Sequence, residues 1–241
     1  MSGAMGALLI FFVMLCATNV VAEDAEHPGD AHYTETGFFD IHVCNWPDRP
    51  PFYMTLYSTY QFKDVRLIEL MNAEGEKFAT LDLSKFRVIT SDGKPEKRVF
   101  MNQIAQPEHS IDGWFSAKIT LNDDSVHVAK DFVEHGVLSQ VVGHWPAHRS
   151  EVADPPEVLH WSVVKGAAHY QVFIKDKWNE SEMLFSSDLL ASPEVVLPEG
   201  LLESGGYYAW RVHARDVNED IKLGDFNQGS LSDWQEFTVA N

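Results

Sequence analysis

His42 and Cys44, two residues apart in a run of alternating side chains, are the pair in this chain with the most chemistry to offer. A strand sets residues i and i+2 on one face, about 7 Å apart at the backbone, so an imidazole and a thiolate there make two ligands of a soft-metal site. With Met54 or His144 completing the set, copper is the expected occupant, because thiolate and thioether are soft donors. His144 and His148 have the i, i+4 spacing of helical ligand pairs, but Pro146 between them forbids the regular helix that spacing needs. His27 and His32 have no cysteine nearby and no helical register, and they read as solvated groups. Asp216, Asn218, Asp220 and Asp225 concentrate oxygen donors. Ile221 stands where a calcium loop needs glycine and Asn227 where it needs a bidentate glutamate, so the expectation is an acidic loop.

No sequence motif supplies a nucleophile. Gly-x-Ser-x-Gly, Cys-x-x-Cys and His-Glu-x-x-His are all missing from the chain. The 36 acidic residues would form chance carboxylate pairs in any fold, which removes glycosidase chemistry as an inference. The expectation is a protein that is not an enzyme.

The 36 acidic residues stand against 18 basic ones, a net charge of −18 that repels phosphate backbones and anionic headgroups and so argues against nucleic-acid or membrane-surface partners. Residues 1–22 carry no charged side chain, and Ala7 to Ala17 is an apolar run of signal-peptide length followed by small residues before Glu23. It is short for a membrane anchor before Thr18 and Asn19 interrupt it. The chain is therefore expected to be exported, periplasmic or extracellular, without membrane insertion once the signal is cleaved. Cys16 would leave with that segment, making Cys44 the one remaining thiol, read as a small buried apolar residue.

The elements that must position these groups are short strands. Residues 23–36, acidic and poor in apolar side chains, read as a flexible leader. An N-terminal β-sandwich is expected over 37–149. Phe39, Ile41 and Val43 alternate with Phe38, Asp40, His42 and Cys44, and three prolines break the pattern over 47–51. Phe52, Met54, Leu56, Tyr60 and Phe62 then read as a core face, with Tyr53, Thr55, Tyr57 and Thr59 turned outward. That hydroxyl-bearing face makes Tyr53 and Tyr57 candidate contacts for a protein partner. The clearest hairpin runs from Gly113 to Val133 about an Asn122-Asp123-Asp124 turn. Val137 to Val142 is apolar and fits either a last strand or a short helix. Exposed indoles at Trp46, Trp145 and Trp178 offer an alternative role in carbohydrate binding. Prolines and mixed charge over 143–156 mark a boundary.

Beyond it, Leu159-His160-Trp161, Tyr170-Gln171-Val172-Phe173-Ile174, Leu197 and Leu201, and Tyr208-Ala209-Trp210-Arg211-Val212-His213-Ala214 follow in an order and spacing that resembles a fibronectin type III domain over 154–241. The resemblance implies an immunoglobulin-like sandwich with Trp161 and Tyr170 in its core. It also implies a corner in which the Tyr208 hydroxyl bonds back to nearby backbone. A role in adhesion, spacing or docking is implied too, with no activity attached. Strand alternation places Arg211, His213 and Arg215 on the outer face, a basic strip on an acidic chain and a second candidate partner surface. The expected whole is an all-β chain of two β-sandwich domains, serving as an exported interaction or assembly component of the cell envelope.

Overall fold

The computed structural model describes residues 25, 27–91, 93–106, 111–216 and 226–241. Residues 1–22, read from the sequence as a signal peptide, and Asn218, Asp220, Ile221 and Asp225, read as part of an acidic loop, lie outside the described residues. The described residues hold seventeen strands and no α-helix. In the N-terminal half these are β1 (Tyr33–Thr34), β2 (Gly37–Asn45), β3 (Phe52–Thr59), β4 (Val65–Met71), β5 (Lys77–Thr80), β6 (Phe86–Ile89), β7 (Lys97–Ala105), β8 (Gly113–Leu121) and β9 (Val126–Val133). The C-terminal half adds β10 (Ser150–Val152), β11 (Val158–His160), β12 (His169–Asp176), β13 (Glu182–Ser186), β14 (Glu194–Val196), β15 (Tyr207–Arg215), β16 (Gln228–Leu231) and β17 (Gln235–Val239).

The N-terminal half is a sandwich of two antiparallel sheets. Strands β2-β3-β7-β6, with β1 on the edge of β2, face strands β5-β4-β8-β9. Phe39, Ile41, Val43 and Phe100 of the first sheet pack on Ile68, Leu70, Phe115, Ile119 and Val133 of the second. The β8–β9 hairpin closes on the turn read from the sequence, where the Asp123 carboxylate accepts from the Ser125 amide at 2.9 Å and Asp124 takes a positive φ of 69°.

The outward reading of Tyr53, Thr55, Tyr57 and Thr59 is reversed by the structure: all four are fully buried, and Phe52, Met54 and Leu56 lie on the outer face. The cause is register. In the antiparallel pair, Phe39, Ile41 and Val43 stand directly opposite Tyr57, Thr55 and Tyr53, and opposed residues share a face. Each hydroxyl finds an internal partner, as burial demands. Tyr57 bonds Thr36 Oγ1 at 2.7 Å, Tyr53 bonds the His135 ring, Thr55 donates to the Asn102 carbonyl at 3.2 Å, and Thr59 donates to the Thr36 carbonyl. Tyr53 and Tyr57 therefore present nothing to a partner.

The flexible-leader reading does not describe residues 27–36. His32 is buried with its two ring nitrogens 2.6 Å from Asp30 and 3.0 Å from Asp131, and the Ala31 carbonyl accepts from the Lys130 amide. The segment lies across β2 and β9 and closes that end of the sandwich.

The C-terminal half has the layering of an immunoglobulin-like sandwich. Strands β11 and β14 pair in one layer. The other layer runs β13-β12-β15-β17, with β10 parallel to β17. Trp161, Tyr170, Val172, Ile174, Tyr208, Trp210 and Val212 fill the space between, joined by Leu138 and Val141 from the segment that reaches it. That segment, Val137 to Val142, is neither strand nor helix. The Tyr208 hydroxyl accepts from the Glu203 amide at 2.9 Å, forming the expected corner.

The inner position of β3 predicts that Tyr57→Phe lowers the unfolding free energy by about 1 kcal/mol, since it removes one of the two hydrogen bonds of the buried Thr36 hydroxyl, the other being to Thr34 Oγ1 at 2.9 Å. Tyr57→Ala is expected to cost about 3–5 kcal/mol. Denaturant midpoints read both, and a solvent-facing tyrosine would give near-zero changes.

Candidate functional site

Strand β2 is buried on both faces. Its outer face, Asp40, His42 and Cys44, is covered because the two halves share a sheet: β16 pairs in parallel with β2, setting Gln228 opposite Val43, Gly229 opposite Cys44 and Ser230 opposite Asn45. The Val43 amide donates to the Asn227 carbonyl at 2.9 Å, and Asn45 Nδ2 donates to the Leu138 carbonyl at 2.9 Å. Phe226, just before β16, lies over the His42 ring at a centroid distance of 4.0 Å and meets His213 of β15 edge-on at 5.8 Å. The Arg215 guanidinium sits 5.1 Å from the same ring, donates from Nε to His213 Nδ1 at 3.1 Å, and donates to Gln171 Oε1 at 2.8 Å. His42 Nδ1 is held 2.7 Å from Asp40 Oδ2.

The electrostatics of this junction follow from its dryness. Burial, reinforced by the neighbouring Arg215 and Arg211 guanidinium groups, holds the His213 imidazole well below its ordinary value, so the ring is neutral at pH 7. Burial raises the Asp216 carboxyl, against the lowering effect of the Gln228 amide that bonds it at 2.8 Å. A Cβ added at Gly229 would stand 2.7 Å from the Phe226 ring and 2.8 Å from His213 Nε2, so the absence of a side chain there is what lets β16 approach.

The structure gathers some of the sequence-predicted residues and separates others. His213 and Arg215 face the chain's own N-terminal half. Arg211 lies 4.3 Å from the Trp234 ring, with Lys175 on the same ring at 4.7 Å, so its cation is held in an aromatic stack on the outer face of β12 and β15. His42 stands opposite Met54 on the outer face, and Cys44 and Met54 join Phe52 in a small apolar cluster with Trp46 and Met101 beside it. His144 belongs elsewhere, edge-on to Trp210 of the C-terminal core at 5.1 Å. Among the described residues no three His, Cys, Asp or Glu side chains gather as metal ligands, so His42, Cys44 and His144 do not converge. Burial drops the His144 imidazole to about 4. Of the indoles, Trp46 is half-buried under Arg49, while Trp145 and Trp178 remain 44% and 71% exposed.

A face that the sequence reading did not single out is the outer side of β8 and β9. Trp114, Phe132, Val126 and Val128 are all exposed there, Trp114 by 52%, and the two rings meet edge-on at 5.5 Å. Lys118 is opposite Val128 and Lys130 opposite Ser116 on the same face. The alternation Trp114, Ser116, Lys118, Thr120 was legible; that its Trp114 end is left exposed among the described residues, while Thr120 is buried, was not.

No family model matches the chain, and no curated protein matches it. Solved structures that resemble it include a cytokine receptor complex, at 12% identity over 84% of this chain and 97% of that one with a TM-score of 0.32. Another is the Bacteroides ovatus mixed-linkage glucan utilization locus protein SGBP-B in complex with a heptasaccharide, at 14% identity over 81% and 42% with a TM-score of 0.23. Domains A168–A170 of titin align at 13% identity over 86% and 68% with a TM-score of 0.25.

Because the native state refuses a proton at His213 and His144 that the unfolded chain accepts, stability is expected to be full near pH 7 and to fall as pH drops below the ordinary imidazole value of 6.5. Urea midpoints between pH 7 and pH 4 read this slope, and His213→Gln is expected to flatten it. At the junction itself, Gly229→Ala is expected to destabilise by about 1–3 kcal/mol through ring displacement. Thermal unfolding would show it as a lowered or split transition.

Proposed function

We propose that this chain is an exported, non-catalytic interaction or assembly component of the cell envelope that docks a protein partner on the outer face of β8 and β9. The observation that carries the reading is the exposure of Trp114, Phe132, Val126 and Val128 on one side of one hairpin. Isolated exposed apolar residues are ordinary, whereas four on one face of one hairpin, two of them aromatic rings in contact, mark a contact surface. Aromatic anchors of this kind carry most of the free energy of typical interfaces.

The charges of that face set the partner's chemistry. Lys118 and Lys130 stand among the apolar side chains, on a chain whose net charge is −18. A partner with an apolar centre and a rim of carboxylates complements this surface, and a second copy of the same acidic chain is disfavoured by long-range repulsion. The other candidate surface read from the sequence, the strip of Arg211, His213 and Arg215, is engaged internally by Trp234, Phe226 and Gln171. The absence of nucleophile motifs in the sequence supports a binding role rather than a catalytic one.

Envelope extracts passed over the immobilised chain, with bound proteins identified by mass spectrometry, test the reading. An acidic partner retained by the wild type is expected to be lost from a Trp114→Glu, Val128→Glu double variant whose thermal transition is unchanged. Retention of the same proteins by both chains would remove the face from consideration.

A further inference from the structure

The segment 140–147 crosses the C-terminal sandwich from one layer to the other and is held along its length. Ser162 N donates to the Val142 carbonyl at 2.9 Å, Trp145 exchanges backbone hydrogen bonds with His160 of β11, and the Arg149 amide donates to Glu236 of β17 at 2.6 Å. Between this segment and the start of β17 lies a cavity of about 400 Å³, inside the range of ~300–1,000 Å³ usual for small-molecule sites. Its lining includes Gln140, His144, Asp233 and Gln235, with Val142 and Ala147 as apolar wall. It lies in the C-terminal half, away from the β8–β9 hairpin, and nothing in the docking role uses it.

We infer that this cavity takes one ring of an uncharged saccharide. The lining pairs two carboxamides and one carboxylate with an imidazole on a partly apolar wall, and a sugar hydroxyl, which donates and accepts together, matches a lining that offers amide N–H donors along with amide and carboxylate acceptors. The Gln235 amide is already positioned by its Nε2 bond to the Asp233 carbonyl at 3.2 Å, with Oε1 as its acceptor. The His144 ring is braced edge-on against Trp210, which in turn donates from Nε1 to the Pro146 carbonyl at 3.1 Å. Walls fixed this way lose little entropy on binding.

Charge excludes the competing ligand classes. An anion meets the Asp233 carboxylate and a neutral imidazole at His144, within a chain of net charge −18. A cation finds one carboxylate in the lining, at Asp233, where a strong cation site needs several or an aromatic cage. A neutral polyol suffers neither penalty. Trp145, next to His144 in the chain and stacked on His160 with planes 7° apart, adds an exposed indole on the same segment.

Titration of the full chain with glucose, galactose and N-acetylglucosamine, followed by the His144 ring and Gln235 side-chain resonances in NMR, tests the assignment. Glucuronate and glucosamine serve as anionic and cationic counterparts. At least one neutral sugar is expected to give a saturable millimolar shift, with both charged analogues weaker. Asp233→Ala and Gln235→Ala are each expected to weaken binding by about tenfold, the scale of one lost hydrogen bond to a well-placed partner. The Trp114→Glu variant is expected to bind as the wild type does. The inference is overturned if no neutral sugar gives a saturable shift, if glucuronate or glucosamine binds more tightly, or if binding survives the Asp233→Ala, Gln235→Ala double variant with its fold intact.

Discussion

Three residue pairs of parallel strand, Val43 to Asn45 against Gln228 to Ser230, hold the two sandwiches of this protein in one sheet, and much of its chemistry follows from that contact. Without it β2 would be the edge of its sheet beside the short β1, with unpaired amides and carbonyls along Val43 to Asn45. With it, the outer side chains Asp40, His42 and Cys44 are taken out of water. A buried polar row of this kind is tolerable when its members bond one another, as His42 bonds Asp40 and Arg215 bonds His213 and Gln171. Phe226 supplies the apolar part, placed against both imidazoles and the guanidinium. The His213 imidazole is thus a structural group that burial holds neutral.

The C-terminal sandwich provides the rigid side of this joint. Strand β15 is bonded on one flank by β12 and on the other by β17 and then β16, so His213 and Arg215 cannot shift without disturbing a central strand. The outer face of the same layer is tied by cations on rings. Lys175 and Arg211 share Trp234, and Lys177 pairs with Glu236, which also accepts from the Tyr207 hydroxyl. Basic residues that read as a partner strip are therefore used to close the face they stand on. On a chain with half as many cations as anions, Lys118 and Lys130 stand together on the exposed face of β8 and β9, Lys118 directly opposite Glu69 of β4.

How far the sequence could be read depended on whether one strand sufficed to decide the matter. The alternation of Tyr208, Trp210, Val212 and Ala214 identified a core strand and its fold, and the Tyr208 corner formed as the resemblance implied. The β8–β9 hairpin was likewise legible, because its turn chemistry is local. Strand β3 was not, since both of its faces carry large side chains. Aromatic and β-branched residues sit on one, Phe, Met and Leu on the other, and only pairing with β2 decides which is inside. The burial of both faces of β2 was invisible for the same reason: its cover comes from residues nearly two hundred positions away. His42 and Cys44 were read on one face of a strand, as β2 has them, but Met54 and His144 were attached to them by residue type alone; Met54 stands opposite His42, and His144 packs in the other half.

The distribution of apolar surface gives the last constraint. A chain with net charge −18 can expose large apolar side chains without self-association more safely than a neutral one, because its copies repel before the patches meet. That protection weakens where lysines interrupt the acidic field, and Trp114 and Phe132 lie beside Lys118 and Lys130. Glu69 of β4, opposite Lys118, is the carboxylate that borders them. On the docking role proposed above, lysines on that face would lower the barrier to an acidic partner while the repulsion between copies persists over the rest of the surface.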